Sequence, residues 1–211
     1  MTVRPALSVA VVAALCALVP GVLYAGQRRP GNLDRAASDA VEAGLGDAHG
    51  VLTALVLPTE PPVVLAAVLV TMLVCAWRRR WAGAVLAVVA PAVAVAVNTW
   101  VLKPMVGRYY DDHLAYPSGH TVSLVSVLAV IALLATATWR RVVVGAGIVL
   151  TAAAGAGMIG LGYHYLTDVL GGAAFAVAAT LAVATGLGAL TRHGRRLGGV
   201  PRERREPADG T

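Results

Sequence analysis

Tyr116-Pro117-Ser118-Gly119-His120-Thr121 is a polar turn set between two long apolar runs, and its reading decides how the rest of the chain is arranged. Pro117 and Gly119 interrupt regular structure, and Ser118 suits the cap of a following helix. The first N–H groups of that helix have no intrahelical partner, so they form an anion site over the turn. His120 stands in the same turn and exchanges a proton near neutral pH. An anion cradle beside a proton donor is half of a site for handling phosphate. The alternative at this turn is a capped loop between membrane helices with an incidental histidine.

The runs on either side belong to a strongly apolar chain. Of its 211 residues, 58% are hydrophobic and 13% are charged. A soluble domain carries roughly 25% charged residues. The apolar residues fall in long runs, which makes this an integral membrane protein. A net charge of +6 does not mark a nucleic-acid partner here, because the arginines cluster at the ends of apolar runs, where they set topology. Cys16 and Cys75 lie inside such runs and support neither a disulfide framework nor a thiolate metal site.

The expected fold is all-α, an integral membrane bundle of six helices over 6–25, 63–77, 82–102, 122–139, 142–161 and 169–190, with an outer amphipathic helix. The first run resembles a signal peptide, with Arg4 before it and small residues at its end. It is long for one and further spans follow, so a retained helix is expected. After a turn at 27–31, Asn32 is expected to cap a helix reaching residue 57. Leu33, Ala36, Ala37, Ala40, Val41 and Leu45 recur there at helical spacing, with Asp34, Ser38 and Glu42 on a polar face. Such a helix lies along the membrane surface. His49, near its end, has no polar company at ligand spacing. Pro58, Pro61 and Pro62 punctuate the link to the second span, and the third tolerates Pro91. Small residues in the fifth span and Gly171-Gly172 near the start of the sixth permit close helix approach. The stretch 191–211 is polar and basic and is expected to be disordered. Four segments follow: 1–31, 32–61, a catalytic core over 62–190, and the tail.

Charge orients the bundle. With the N-terminus inside, twelve of the seventeen basic residues are cytoplasmic, and Arg28, Arg29, Arg35, Lys103 and Arg108 remain outside. Trp77, Trp81 and Trp139 then belt the inner interface, while Tyr109, Tyr110, Tyr116, Tyr163 and Tyr165 belt the outer one.

Two loops then share the outer face. One carries Lys103, Arg108, Ser118 and His120, and the other carries His164 and Asp168. Two cations beside a helix N-terminus and a histidine suggest an anion, although Lys103 alone reads as a snorkelling anchor. His164 and Asp168 are four apart and share a face if helical. A carboxylate on one ring nitrogen fixes the tautomer and frees the other as nucleophile or base. Two alternatives stand: a zinc pair completed by His120 or His113, and a structural cap on the sixth helix.

Lys103, Pro117-Ser118-Gly119-His120 and His164-x-x-x-Asp168 together resemble the type 2 phosphatidic acid phosphatase superfamily, whose signature is KxxxxxxRP, PSGH and SRxxxxxHxxxD. The resemblance covers roughly 82–190. It implies a metal-independent membrane phosphatase, without cofactor, acting through a phosphohistidine intermediate. By position, His164 resembles the nucleophile, Asp168 its orienting carboxylate and His120 the general acid. Lys103, Ser118 and Gly119 resemble the phosphate cradle. The implied substrate is a lipid phosphate or polyprenyl (di)phosphate such as an undecaprenyl carrier, presented from the bilayer to a site on the outer face of the plasma membrane.

Two departures concern the cradle. The signature's Arg-Pro falls on Tyr110-Asp111, and its Ser-Arg falls on Gly157-Met158. Arg108, two places early, is expected to supply the displaced phosphate cation. If it does not, the alternative is an impaired or non-hydrolytic lipid-phosphate binding or transport protein, or one transferring phosphate to an acceptor other than water.

Overall fold

The computed structural model describes residues 3–197, with side chains described for 7–190. Helices dominate: α1 (Val3–Leu23), α2 (Asn32–Leu45), α3 (His49–Val56), α4 (Pro61–Trp77), α5 (Trp81–Val97), α6 (Lys103–Val106), α7 (Gly119–Leu134), α8 (Ala137–Gly160) and α9 (Leu166–Leu197). By length and composition, His49–Trp77, Trp81–Val106, Ala137–Gly160 and Leu166–Leu190 are long and apolar enough to cross a membrane. Leu7–Leu23 and Gly119–Leu134 are shorter apolar helices. This is a multi-pass membrane protein.

Its residues are sorted for lipid outside and for close contact inside. Leu65, Leu69 and Leu73 recur every four residues on α4 and are exposed, an apolar stripe that lipid would cover. Ala87, Ala90 and Ala94 on α5 are buried instead. They pack in clusters with Val130 and Val122 of α7 and Ala176 of α9. Small side chains at such seams let backbones approach and gain dispersion contact that lipid would not supply. Helix α9 is the centre of the bundle, packing on α1, α5 and α7, and more lightly on α2 and α8.

The turn at Tyr116–Ser118 is seated directly on α9. A Cβ at Gly171 would lie 2.3 Å from the Tyr116 hydroxyl oxygen, and one at Gly172 would lie 2.8 Å from the Ser118 carbonyl. The close approach expected of Gly171-Gly172 is therefore made, and by this turn. Tyr116 is buried and its hydroxyl donates to the Ala17 carbonyl of α1. Ser118 N–H donates to the Asp168 carbonyl at 3.0 Å. The Tyr116–Pro117 peptide is cis.

Several boundaries differ from expectation. The amphipathic helix breaks at 46–48, so α2 and α3 are separate, and Gly31 rather than Asn32 takes the N-cap position. The fourth run stops at Leu134, where Thr136 begins α8, so Trp139, Arg140 and Arg141 lie in the first turns of the next helix. Extended backbone at Ala135 and Thr136 makes that break without proline or glycine. The third run passes through a π turn at Asn98–Leu102 before α6. A two-residue hairpin, β1 (Tyr109–Tyr110) and β2 (His113–Leu114), adds a strand pair that the all-α expectation did not include. Helix α9 continues to Leu197, so 191–197 is helical, while the disorder expected of 198–211 lies outside the described residues. Tyr116 and Tyr165 are buried and do not belong to an interfacial belt.

The seating of the turn sets a stability difference. Gly171→Ala should lower stability in detergent by about 1–3 kcal/mol through overpacking against Tyr116. Gly145→Ala, where a new Cβ would meet nothing within 4 Å, should leave it unchanged or slightly raised. Thermal unfolding of the two variants side by side checks this; equal midpoints would contradict it.

Candidate active site

One cleft of about 970 Å³ opens between α4 and α5 and ends beneath the histidines. Its lower walls are apolar: Val64, Leu65 and Val68 of α4 face Val88, Ala92 and Val95 of α5. Its polar end is lined by Glu60, Lys103, His113, Gly119, His120, Tyr163 and His164. Apolar walls leading to a few converging polar groups are the usual form of a ligand site.

Local structure delivers each polar group. The π turn at Asn98–Leu102 shifts the register of the helix where Thr99 and Lys103 meet the cleft. The Lys103 ammonium donates to the Leu114 carbonyl of β2. Ser118 caps α7, its hydroxyl accepting from Thr121 N–H at 3.4 Å. The N–H groups of Gly119 and His120 therefore open the first turn of α7 at the cleft, and the helix dipole adds positive potential there. Ser118 itself is fully buried beside Met158 and does not line the cleft.

His164 sits in the short link between α8 and α9. Its ring centroid is 5.9 Å from that of His120 and 5.9 Å from that of His113. The centroid spacing brings both imidazoles to one end of the cleft, where a single phosphoryl group could reach a nitrogen of each. His164 Nδ1 lies 3.9 Å from Asp168 Oδ2, beyond direct hydrogen bonding, and has no other protein partner. Such bonds are often long in unliganded sites and tighten when the site fills. Burial pushes the His164 pKa below the ordinary 6.5, further lowered by Lys103 and His120 and opposed by Asp168. The ring is therefore neutral at neutral pH, with a lone pair available.

Arg108 is placed differently from expectation. It is fully buried and does not line the cleft, so it is not positioned to grip a phosphate there. One terminal nitrogen donates to Asp168 Oδ1 at 2.6 Å and to Thr167 Oγ1 at 2.6 Å; the other donates to Asp34 Oδ2 at 2.7 Å. The Tyr24 and Tyr165 rings flank the guanidinium at 4.3 and 4.5 Å. Ala115 N–H closes the hairpin onto the Arg108 carbonyl at 2.8 Å, and the Arg108 side chain is buried beneath it.

The sequence places Asp34 on the polar face of an amphipathic helix. It is instead fully buried and accepts four hydrogen bonds: from Thr167 N–H and hydroxyl, from Arg108 and from Gly31 N–H. Burial raises its pKa, but these donors outweigh burial and hold the carboxyl below the ordinary carboxylate value. A position in the first turn of α2 was the one legible hint, because an acidic residue there reaches back to an N-cap N–H. Glu60, at the rim of the cleft, has no signal in the sequence, and His113 enters from sequence only through the zinc alternative. Among the described residues, no group of three His, Cys, Asp or Glu side chains is arranged to hold a metal ion.

The arrangement is that of a membrane protein whose two imidazoles, one lysine and one helix N-terminus converge at the end of an apolar cleft. Residues 98–192 match the family model of the PAP2 superfamily, in line with the resemblance carried by the motifs. Its fold is similar to the crystal structure of a transmembrane PAP2-type phosphatidylglycerolphosphate phosphatase from Bacillus subtilis. The TM-score is 0.67 at 20% identity, over 86% of this chain and 96% of that one. A search of curated proteins found no match.

Proposed function

We propose that this protein hydrolyses a lipid phosphate or polyprenyl (di)phosphate through a phosphohistidine intermediate. The observation that carries the reading is the pair of imidazoles 5.9 Å apart, beside Lys103, at the head of a cleft with apolar walls. An acyl or prenyl chain would lie along α4 and α5 while its phosphate reaches His120 and His164 at the polar end.

His164 attacks phosphorus in line; the N–P bond forms as the bond to the leaving oxygen breaks, and His120 protonates that oxygen. His120 then takes a proton from water, which attacks phosphorus, and inorganic phosphate leaves with His164 restored. Asp168 steadies the positive charge that grows on His164. Lys103 and the first N–H groups of α7 face the equatorial oxygens. Six membrane crossings, an outward-facing site, cytoplasmic termini and α2 lying at the membrane surface complete the reading. Charge distribution supports them: the arginine clusters at 78–80 and 140–141 lie at helix ends opposite the site.

One observation favours a second reading, binding without turnover. Among the described residues, Lys103 is the only lysine or arginine lining the cleft, a thin cation supply for phosphoryl transfer. Turnover separates the two. In detergent with excess EDTA, phosphate release from phosphatidic acid should persist, and His164→Ala and His120→Ala should reduce kcat by about a hundredfold or more. Activity recovered only on adding zinc, or an active His164→Ala protein, would overturn the mechanism.

The pH profile follows from the depressed His164 pKa. The neutral ring must attack, and a lowered pKa extends the neutral form to lower pH, so the acid limb of kcat/KM should fall below pH 6.5 once substrate ionisation is subtracted. An acid limb above pH 7 would be inconsistent with this.

The walls make a separate demand. Ala92→Trp should fill the cleft between α4 and α5, raising KM for long-chain phosphatidic acid about tenfold while sparing a small soluble aryl phosphate. Equal effects on both substrates would place the lipid chain elsewhere.

A further inference from the structure

Arg108 bonds two carboxylates at once, and only one of them is next to His164. Asp34, Arg108 and Asp168 are all fully buried, so their charges act on one another with little screening by water. Thr167 bridges the group, its hydroxyl donating to Asp34 and accepting from Arg108. With two carboxylates and one guanidinium, the set carries one net negative charge. If Asp34 were absent, the guanidinium would sit on Asp168 alone and cancel the charge that faces His164.

We infer that Asp34, on a helix outside the family-matched region, is a positioning residue for the reaction: by sharing Arg108 it keeps the Asp168 charge available to His164. This rests on the proposed phosphohistidine reading. Arg108 holds Asp168 Oδ1 in place, and Tyr165 N–H holds Oδ2 at 2.9 Å, so the carboxylate is fixed on both sides as it faces Nδ1. Asp34 sets how much negative charge that fixed carboxylate presents. The remaining groups facing His164 are Lys103, His120 and His113, with Tyr163 and Glu60 further along the cleft lining. None of them contacts Asp34 or Arg108 through a hydrogen bond among the described residues.

The prediction has a sign that a merely structural role lacks. Asp34→Asn retains an acceptor for Thr167 but removes one negative charge, so protonated His164 is less favoured. The acid limb of kcat/KM should move down by about one pH unit, and kcat should fall about tenfold. Arg108→Gln removes the cation, so the limb should move up by a similar amount. The double variant Asp34→Asn, Arg108→Gln restores one net negative charge, and its limb should return to the wild-type position even though its rate stays low. Should Arg108→Gln fail to fold, the comparison of wild type, Asp34→Asn and the double variant still decides the matter. All are assayed on dioctanoyl phosphatidic acid as full-length protein in detergent, so substrate ionisation cancels.

Acid limbs that coincide across these proteins would overturn the inference, even with rates reduced. Failure of the underlying reading looks different: a wild-type protein without turnover, or His164→Ala with full turnover, removes the reaction and this role of Asp34 with it.

Discussion

The structure depends on one guanidinium placed where no water reaches it. Burying Arg108 and two carboxylates costs several kcal/mol per ion before any pairing. The cost is met because nearly every polar atom of the set has a partner. Asp34 accepts four bonds, Arg108 donates from both terminal nitrogens, and Asp168 is held on both oxygens. Two tyrosine rings close the faces of the guanidinium, where no hydrogen bond reaches. Removing one member would strand the others, so the network binds into one unit segments that sequence keeps far apart: the end of α1, the start of α2, the hairpin and the start of α9. Geometry at the histidines is set by that unit.

The glycines complete the same constraint. Where the family signature has Ser-Arg, this chain has Gly157-Met158. A Cβ at Gly157 would lie 2.8 Å from the Leu52 carbonyl, and Met158 is fully buried in a cluster with Val56, Leu124, Ala154 and Val169. Helix α3 occupies the space, held close by glycine. An arginine at 158 would put a charge in the apolar seam between α3, α7 and α8. The glycine and methionine here are thus compatible with the close packing of α3, where an arginine would not be. Helix α2, which leads into α3, is the element that brings Asp34 to Arg108.

Much of this was legible from residue order. Long apolar runs, arginine clusters and the Pro117–His120 turn implied a membrane bundle with a capped helix beside a histidine, and the cap is present at Ser118. The topology implied that the loops carrying His120 and His164 share one face, and their ring centroids lie 5.9 Å apart. What stayed hidden was direction. Arg108 and Asp34 each have an ordinary surface reading, a loop cation and a polar helix face, and nothing local distinguishes inward from outward. The hairpin that closes at Ala115 fixes the Arg108 backbone, and the break at 46–48 separates α2, with Asp34, from α3. Both are long-range consequences that periodicity does not encode. Helix ends at Leu134 and Leu197 were misjudged for a related reason, since arginines marked the membrane boundary and not the end of a helix.

The distribution of cations carries the last step. With Arg108 bonded to carboxylates and Met158 in place of an arginine, the cleft relies on Lys103, the histidines and the first turn of α7. Helix N–H groups and a lysine point charge hold a phosphate less rigidly than bidentate arginines do. In the proposed reaction, that loss shifts the burden from gripping the phosphate to fixing the groups that attack it. A nucleophile whose carboxylate partner is pinned by a buried guanidinium and a backbone N–H loses little freedom on reaching the transition state. Preorganisation of that kind acts on the transition state more than on the bound substrate. The chain would thus turn over a weakly held phosphate by virtue of a rigidly held carboxylate behind the attacking histidine, with the apolar cleft adding to the affinity.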